Sequence, residues 1–177
     1  MKNRKYNISV GLAQLEDMWF QFHLRNEPYV VVTCTNQKKI ETEDHRRWFT
    51  NALTRKDKYA LFIVMHTEMC PHCDKAIEKQ KIGYVWYKLL DRKSCTVSIA
   101  INREFQGKGY GVWALNLSIG QLHLHHWHNV GVVWANVRVD NKNSLRFFDK
   151  CGFVELYNPD KYDDVMNEGI VRLGKYI

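Results

Sequence analysis

The sequence predicts an α/β fold of the α+β type, in which an antiparallel meander is flanked by helices. Three runs rich in β-branched and aromatic residues follow one another with only polar segments between them: YALFIVMH, KIGYVWYKLL and SCTVSIAI. Segments with helical apolar spacing precede and follow these runs. The length of 177 residues suits one domain, so residues 1–177 are expected to form a single unit.

Before the meander, the sequence predicts one strand and two helices. YNISVGLA has the character of a short strand, and QLEDMWFQFHLR places apolar residues at helical spacing. In ETEDHRRWFTNAL, Thr42 can cap a helix whose apolar side contains Trp48, Phe49 and Leu53. The polar, cysteine-bearing segment Thr67 to Gln80 is expected to be a solvated loop between two strands.

After the meander, helices and strands alternate. A helix is expected from about Gly109 to His126, followed by the strand VVWANVRV. The segment NKNSLRFFDKC predicts a further helix that Gly152 ends, and strands are expected near FVELY and GIVRLGKY.

The composition restricts the cellular setting and the partner. No run of about 20 apolar residues is present, and the N-terminal segment lacks the features of a signal peptide, so a cytoplasmic protein is expected. Five cysteines without framework spacing indicate reduced thiols. The formal charge of +7 favours an anionic partner, which could be nucleic acid, a membrane or a small molecule that carries phosphates.

A glycine-rich segment, QGKGYG, follows the strand Ser94 to Ile101 and begins a helix. At such a junction, unpaired N–H groups and the helix dipole favour an anion, and glycines let it approach the backbone. A nucleoside-triphosphatase loop is excluded because Gly109, not Ser or Thr, follows Lys108, and a dinucleotide fingerprint is excluded by Val112. The remaining pattern is Gln/Arg-x-x-Gly-x-Gly/Ala.

This pattern resembles the pyrophosphate loop of the GNAT-superfamily N-acetyltransferases. The later block NKNSLRFFDKCGF is similar to a second motif of that family, with Asn141, Ser144, Gly152 and Phe153 in register. The resemblance implies the GNAT fold, a mixed, mostly antiparallel twisted sheet of six or seven strands with about four flanking helices. It also implies an acetyl-CoA-dependent N-acetyltransferase that needs no metal, in which a primary amine attacks the thioester directly.

The resemblance further implies a set of cofactor-binding residues. The loop residues would hold the pyrophosphate, backbone groups of the preceding strand would pair with the pantetheine arm, and the second motif would contact the pantetheine. These residues are Gln106, Gly107, Lys108, Gly109, Tyr110 and Gly111 in the loop, Ile99 and Ile101 in the strand, and Asn141 and Ser144 in the second motif.

Two family positions differ in this chain. Many relatives that modify protein N-termini have a glutamate where this chain has Asn136 and an acid tyrosine where it has Phe148. Phe148 cannot transfer protons, and the proton donor stays unassigned, with Tyr157, another tyrosine or solvent as alternatives. Asn136 could orient a water molecule. His45 is predicted to be the base, because the pKa of an unperturbed imidazole lies near neutrality.

The acceptor is predicted from LRNEP and ETEDHRRWF. These segments resemble ribosomal-protein acetyltransferases and, more closely, N-acetyltransferases of nucleotide-linked amino sugars such as those of the pseudaminic acid pathway. Arg25 and Arg47 would then bind the nucleotide diphosphate. The structural alternative is a solvated helix face at Arg46 and Arg47 and a packed His45.

Two alternatives for the function stay open: a protein N-terminus as the acceptor, and a non-catalytic CoA-binding module. A small-molecule amine is the expected partner, without nucleic acid or membrane, and a homodimer is possible.

Two clusters of potential metal ligands are expected to have other roles. An ordinary loop is expected to contain His66, Cys70, His72 and Cys73, although zinc or redox chemistry is an alternative. Helix capping and surface packing are expected for His123, His125, His126 and His128.

Overall fold

A computed structural model describes residues 5–70, 72–73, 75–124, 127–156 and 169–177. The strands are β1 Lys5–Leu12, β2 Tyr59–Met69, β3 Ala76–Asp91, β4 Ser94–Ile101, β5 Val132–Arg138 and β6 Ile170–Tyr176. The α-helices are α1 Met18–Asn26, α2 Pro28–Val31, α3 Thr42–Thr54, α4 Tyr110–Leu124 and α5 Lys142–Lys150. Short 3-10 helices cover Leu15–Asp17 and Arg103–Phe105.

The six strands form one sheet whose spatial order follows the chain from β1 to β6. Neighbouring strands are antiparallel, except that β4 and β5 run parallel because α4 connects them as a crossover. The prediction of a mixed, mostly antiparallel sheet flanked by helices is confirmed. The described residues contain six strands and five α-helices.

Both faces of the central strands are buried. On one face, Val64, Val85 and Val97 pack in the cluster that contains residues of α4. On the other face, Ile63 and Tyr84 pack in the cluster that contains residues of α1 and α3. Burial on two faces explains why these strands appear in the sequence as nearly continuous apolar runs.

The predicted loop from Thr67 to Gln80 is wrong for most of its length. β2 continues to Met69 and β3 already begins at Ala76, with Thr67 opposite Lys79 in an antiparallel ladder. The side chains of this ladder are mostly exposed, and backbone pairing alone continues the strands beyond the helices that cover the sheet. The sequence therefore lacks, in these outer parts of β2 and β3, the apolar pattern that burial produces and by which strands are predicted.

Other boundaries also differ from the predictions. The first predicted helix divides into a 3-10 turn and α1, and the four-residue α2, which begins with Pro28 at its first turn, was not predicted. Near FVELY, the described residues contain only an isolated bridge between Val154 and Gly174, and Tyr157 lies outside them.

Helix α4 ends at Leu124, and His125 and His126 are not among the described residues. Within the described ranges, no helix has the length and apolar character of a membrane span.

Candidate active site

A wedge opens in the sheet between β4 and β5. The two strands pair only from Ser94 to Thr96 on β4 and from Val132 to Trp134 on β5. β4 continues to Ile101 beside β3, and the rest of β5 continues beside β6. The strands therefore separate toward their carboxyl ends, where the glycine loop and α5 begin.

The β4 side of the wedge exposes backbone hydrogen-bonding groups. The Asn102 amide donates to the Ile82 carbonyl at 2.7 Å, which identifies the even-numbered residues of β4 as those that bond to β3. The Val97 C=O, both backbone groups of Ile99 and the Ile101 N–H consequently point into the wedge. The Val97 N–H faces the Trp134 carbonyl in the last rung of the β4–β5 ladder, and the Ile101 carbonyl accepts from Gln106. The groups that point into the wedge can pair with an extended, amide-containing chain such as pantetheine.

The three loop glycines meet two different requirements. Gly107 and Gly109 have φ values of 74° and 82°, and a Cβ added to either would meet no atom within 4 Å. Their left-handed conformation favours glycine and leaves open space over the loop. Gly111 lies in the first turn of α4, where an added Cβ would come 3.1 Å from the Phe147 ring. Close packing against α5, rather than conformation, explains Gly111.

Helix α4 directs its N-terminus at the same open space. The Gly109 carbonyl accepts hydrogen bonds from the N–H groups of Val112 and Trp113, so the preceding N–H groups of Tyr110 and Gly111 have no intrahelical acceptor. Gln106 anchors the loop, because its Nε2 donates to the Ile101 carbonyl at 2.8 Å. The predicted ligand Gln106 thus also positions the loop.

Beneath the loop lies an aromatic layer that includes His66. The His66 ring lies 5.3 Å from the Phe105 ring and 5.4 Å from the Tyr110 ring, and Lys108 Nζ lies 5.3 Å from the Phe105 ring. Burial lowers the pKa of His66, which keeps the imidazole neutral under the loop. Its place beside Tyr110 and Lys108 could not be derived from the sequence, in which His66 stands out only as a potential metal ligand.

The start of α5 forms the opposite side of the wedge. The Asn141 Oδ1 accepts from the Ser144 N–H at 3.1 Å and caps α5, while its Nδ2 donates to the Thr33 carbonyl at 3.4 Å. A depression of about 290 Å³ lies between the segments Val32–Thr33 and Asp140–Asn143. The structure therefore places Asn141 and Ser144 together at the wedge mouth, and the cap hydrogen bond explains the asparagine, whereas Ser144 contributes only its backbone N–H.

Helix α2 and the turn after it contact both sides of the open end. The Arg103 N–H donates to the Tyr29 hydroxyl at 3.1 Å, next to the glycine loop, and Thr33 accepts the bond from Asn141 described above. This short helix therefore spans from the loop to the start of α5. An acceptor that approaches the wedge from the α1–α2 side must pass it.

Next to α2, Arg25 and Tyr84 form a polar cluster within an apolar layer. The Arg25 Nη2 donates to the Asn36 Oδ1 at 3.1 Å, whereas its Nη1 is buried without a hydrogen-bond partner among the described residues. Burial raises the pKa of Tyr84 above its usual range, and the nearby Arg25 guanidinium opposes this. Tyr84 lies opposite Ala100 of β4. In the sequence, Tyr84 occupies an ordinary position of a predicted strand, and no local pattern indicates this environment.

Asn136 lies on the β5 side of the wedge. It is exposed, and if the β4–β5 ladder continued it would stand opposite Ser98. The chain neighbours of both residues belong to the core on the α4 side of the sheet. Because side chains alternate between the two faces of a strand, Asn136 and Ser98 lie on the opposite face, which is also the face of Tyr84. Across the next ladder, Asn136 pairs with Arg172, whose guanidinium stacks on the Trp134 ring at 4.8 Å.

His45 lies inside the packing between α1 and α3. Its side chain is 2% exposed and lies among the rings of Phe22, Trp48 and Phe49, with ring centroids 5.3 to 5.7 Å apart. The Nε2 atom lies 3.2 Å from the Met18 carbonyl, and burial lowers the pKa of the ring. This geometry favours the packing alternative over the predicted role as base.

Arg47 and Phe148 also have structural explanations. Arg47 is exposed on α3 and forms an ion pair with Asp44 at 2.6 Å, so the structure does not bring it together with Arg25. Phe148 is buried against Phe147 and Phe153, with ring centroids 5.0 Å apart in both pairs. A core position explains why no polar group is present there.

The described residues provide little support for a metal site in the hairpin. His66 and Cys70 are four residues apart, about 13 Å along an extended chain. In the part of the chain that the structure describes, no group of three or more His, Cys, Asp or Glu side chains could hold a metal ion. Cys34, Cys73, Cys95 and Cys151 are free thiols.

Solved structures share this architecture. A domain from Methanocaldococcus jannaschii superimposes with a TM-score of 0.75 at 16% identity, over 98% of this chain and 100% of its own. Spermidine N-acetyltransferase from Vibrio cholerae, in complex with CoA and spermine, gives 0.71 at 18% identity over 96% and 95%. An aminoglycoside acetyltransferase in complex with coenzyme A gives 0.70 at 14% identity over 96% and 95%. At these identities the likeness shows the fold.

Sequence comparison shows the family. No curated protein sequence matches the chain. The family model described as "Acetyltransferase (GNAT) domain" matches residues 11–154, which include the wedge, the glycine loop and α5. The chain therefore belongs to the GNAT acetyltransferase family and is an acetyl-CoA-dependent acyltransferase that acetylates an amine.

Proposed function

We propose that the acceptor is the primary amine of a nucleotide-linked amino sugar. The observation that carries this proposal is the buried Arg25 Nη1, which no described group satisfies, at the α1–α2 side of the wedge. A guanidinium binds phosphate oxygens through parallel hydrogen bonds, so a diphosphate that displaces the groups packed over Arg25 would satisfy this nitrogen. Spermidine, named as substrate of one structural neighbour, is a polycation that Arg25 and the net charge of +7 would repel.

The cosubstrate fits the wedge through backbone groups. The glycine loop and the first N–H groups of α4 would hold the pyrophosphate, and Val97, Ile99 and Ile101 would pair with the pantetheine arm. An N–H group of β4 would also stabilise the oxyanion that forms when the amine attacks the thioester carbonyl. The amine nitrogen forms the new bond to the acetyl carbon, and the thiolate of CoA leaves without an acetylated enzyme.

Two side chains near the wedge suit the proton transfers. Tyr84 is protonated at neutral pH, since the usual pKa of a tyrosine is about 10, and its side chain lies on the same sheet face as Asn136. It is therefore the candidate that donates a proton to the departing thiolate, although burial raises its pKa and makes it a weaker acid. Asn136 cannot accept the amine proton itself, but it can orient a water molecule that does. An amino-sugar amine loses its proton more readily than a lysine, so a weak base suffices.

Substitution of Tyr84 by Phe tests the proton donor. We expect Tyr84→Phe to lower kcat by about 10²-fold, the usual contribution of an acid, with the Kd of acetyl-CoA unchanged. The control is Tyr87→Phe, three residues along the same strand but facing α4, where the hydroxyl bonds to Ser118 at 2.7 Å. The control should lose stability without a selective loss of kcat. Equal kcat values for Tyr84→Phe and wild type would contradict the role.

A substrate panel tests the acceptor. Release of CoA thiol is measured with nucleotide-linked amino sugars, the same amino sugars without the nucleotide, N-terminal peptides of ribosomal proteins, and spermidine. We expect the highest kcat/KM for a nucleotide-linked sugar. Preference for the peptides would assign the ribosomal-protein type of activity instead, and turnover of none of the amines would contradict the acceptor class.

Variants of two arginines test the binding site for the diphosphate. Arg25→Gln should raise the KM for the nucleotide-linked sugar about tenfold or more, as expected for loss of a charged hydrogen bond, with little effect on the free amino sugar. Arg47→Gln is the control, because Arg47 is exposed and paired with Asp44. A larger effect of Arg47→Gln than of Arg25→Gln would place the diphosphate on α3.

The free thiols support the expected cytoplasmic location. Cys34 and Cys73 are at least partly accessible and are not joined in a disulfide, as is typical of a reducing compartment. Fractionation of cells that produce the protein would test this expectation.

A further inference from the structure

Helix α4 has an unusual outer face. Its fifteen residues contain no Asp, Glu, Lys or Arg, although one side of the helix is exposed. Trp113, Leu117 and Leu124 are exposed to 64%, 38% and 75%, while Leu115 and Leu122 on the inner side are buried. Surface helices normally carry polar or charged residues on the outer side. No described residue of the chain covers this apolar face.

Gly120 lies on the same face and has no structural explanation within the described chain. It is not among the glycines with positive φ, and a Cβ added to it would meet no atom within 4 Å. Glycine in a helix interior is less favourable than alanine. A need for close approach by another molecule would explain both the glycine and the space over it.

The spacing of the residues on this face indicates that the other molecule is a second copy of the chain. Trp113, Leu117, Gly120 and Leu124 form one stripe about 16 Å long, because they follow at intervals of four, three and four residues. The sequence of intervals is the same when the helix is read from its N-terminus or from its C-terminus. Two such helices related by a two-fold axis therefore place Trp113 opposite Leu124, and Leu117 opposite Gly120, each contact occurring twice.

We propose that α4 forms a homodimer interface, in which two copies pack antiparallel along the stripe Trp113, Leu117, Gly120 and Leu124. Each Leu117 fills the space over Gly120 of the other copy. The absence of charged side chains on the helix matters because both copies are strongly basic, and charges on the stripe would repel one another. The stripe is narrow compared with the roughly 800 Å² per partner of a standard interface, so we expect the dimer to be weak and reversible.

Sedimentation velocity of the full chain over a range of concentrations tests the proposal. We expect a reversible monomer–dimer equilibrium in wild type and a monomer at all concentrations for Leu117→Glu. The matched control is Leu90→Glu, a leucine with the same 38% exposure at the end of β3, which should leave the equilibrium unchanged. A monomeric wild type, or a dimer that persists in Leu117→Glu, would overturn the proposal.

Mixing two variants tests the register. Leu117→Glu and Gly120→Lys should each be monomeric alone, and their mixture should form a heterodimer because the two new charges would lie opposite each other. Gly120→Ala should weaken the dimer while raising the Tm of the monomer, since alanine favours the helix and has room there. Failure of the mixture to pair would overturn the antiparallel register. A monomeric wild type in which Trp113→Ala weakens acetyl-CoA binding would assign the stripe to the cosubstrate.

Discussion

At the residue scale, the three loop glycines differ in why glycine is required. Gly107 and Gly109 adopt left-handed φ values under open space, so conformation and the approach of a ligand both favour glycine. Gly111 is required by the Phe147 ring of α5. A motif that looks uniform in the sequence therefore combines a conformational requirement at two positions with a packing requirement at the third.

An isosteric pair at Gly109 separates charge from strain. Asn and Asp both tolerate left-handed φ and have nearly the same size, but only Asp adds a negative charge. We expect Gly109→Asp to bind acetyl-CoA about tenfold more weakly than Gly109→Asn, a difference of roughly 1.4 kcal/mol, with the gap shrinking at high salt. Calorimetric titration measures both Kd values. Equal values for the two folded variants would remove the pyrophosphate from this loop.

His45 shows how burial changes the meaning of a titratable residue. Its ring fills space between α1 and α3, and its Nδ1 is buried without a partner in the described structure. Burial lowers its pKa from the ordinary value of about 6.5. The folded state therefore resists a proton that the unfolded state accepts, and stability falls as the pH drops from about 6.5 toward the lowered pKa.

Substitution of His45 by Phe tests this assignment. Phe keeps an aromatic ring among the neighbouring rings and removes the titration, so kcat should stay within about threefold of wild type, far from the 10²-fold loss of a general base. The decline of Tm between neutral and mildly acidic pH should become shallower. Part of the decline should persist, because burial also lowers the pKa of His66. A 10²-fold loss of kcat at unchanged Tm would restore His45 as the base.

At the element scale, the wedge arises because β4 and β5 run parallel but pair over only three residues each. Beyond Thr96 and Trp134, β4 follows β3 and β5 follows β6. An unpaired strand edge inside a sheet would normally be a liability. In the proposed function, an extended cosubstrate completes the ladder, which would make the opening a binding feature.

Amide hydrogen exchange by NMR tests this arrangement without mutation. In the absence of acetyl-CoA, the amides of Ile99 and Ile101 should exchange faster than those of Ser98 and Ala100, which bond to β3. Addition of acetyl-CoA should slow the first group selectively. Protection that is the same for odd and even residues without ligand would contradict the inferred orientation of β4.

At the scale of the whole molecule, the two sheet faces have different tasks. The face covered by α4 contains an apolar core, whereas the face covered by α1 and α3 also holds Arg25, Tyr84 and the buried His45. The wedge between β4 and β5 is an opening in the sheet that lies between these two faces. Under the proposed function, acetyl-CoA bound by the loop at the start of α4 would present its thioester to an acceptor bound beside α1 and α2.

Chelation tests whether this chemistry depends on a metal. We expect extended treatment with EDTA to leave Tm and turnover unchanged, because a thioester is already activated and amine attack needs only positioning and proton transfer. Native mass spectrometry should detect no stoichiometric zinc. Loss of stability on chelation, restored by zinc, would instead assign a metal to the cysteines and histidines of the β2–β3 hairpin.

The sequence alone determined the meander, the alternation of helices and strands after it, and the family motifs around Gly109 and Asn141. Local periodicity and backbone conformation fix these features, and both depend on residues close in the chain. Only the tertiary structure decided that His45 is buried, that Gly111 packs on Phe147 and that α2 spans the wedge mouth. The role of a side chain depends on its burial and on partners far away in the sequence, which periodicity does not contain.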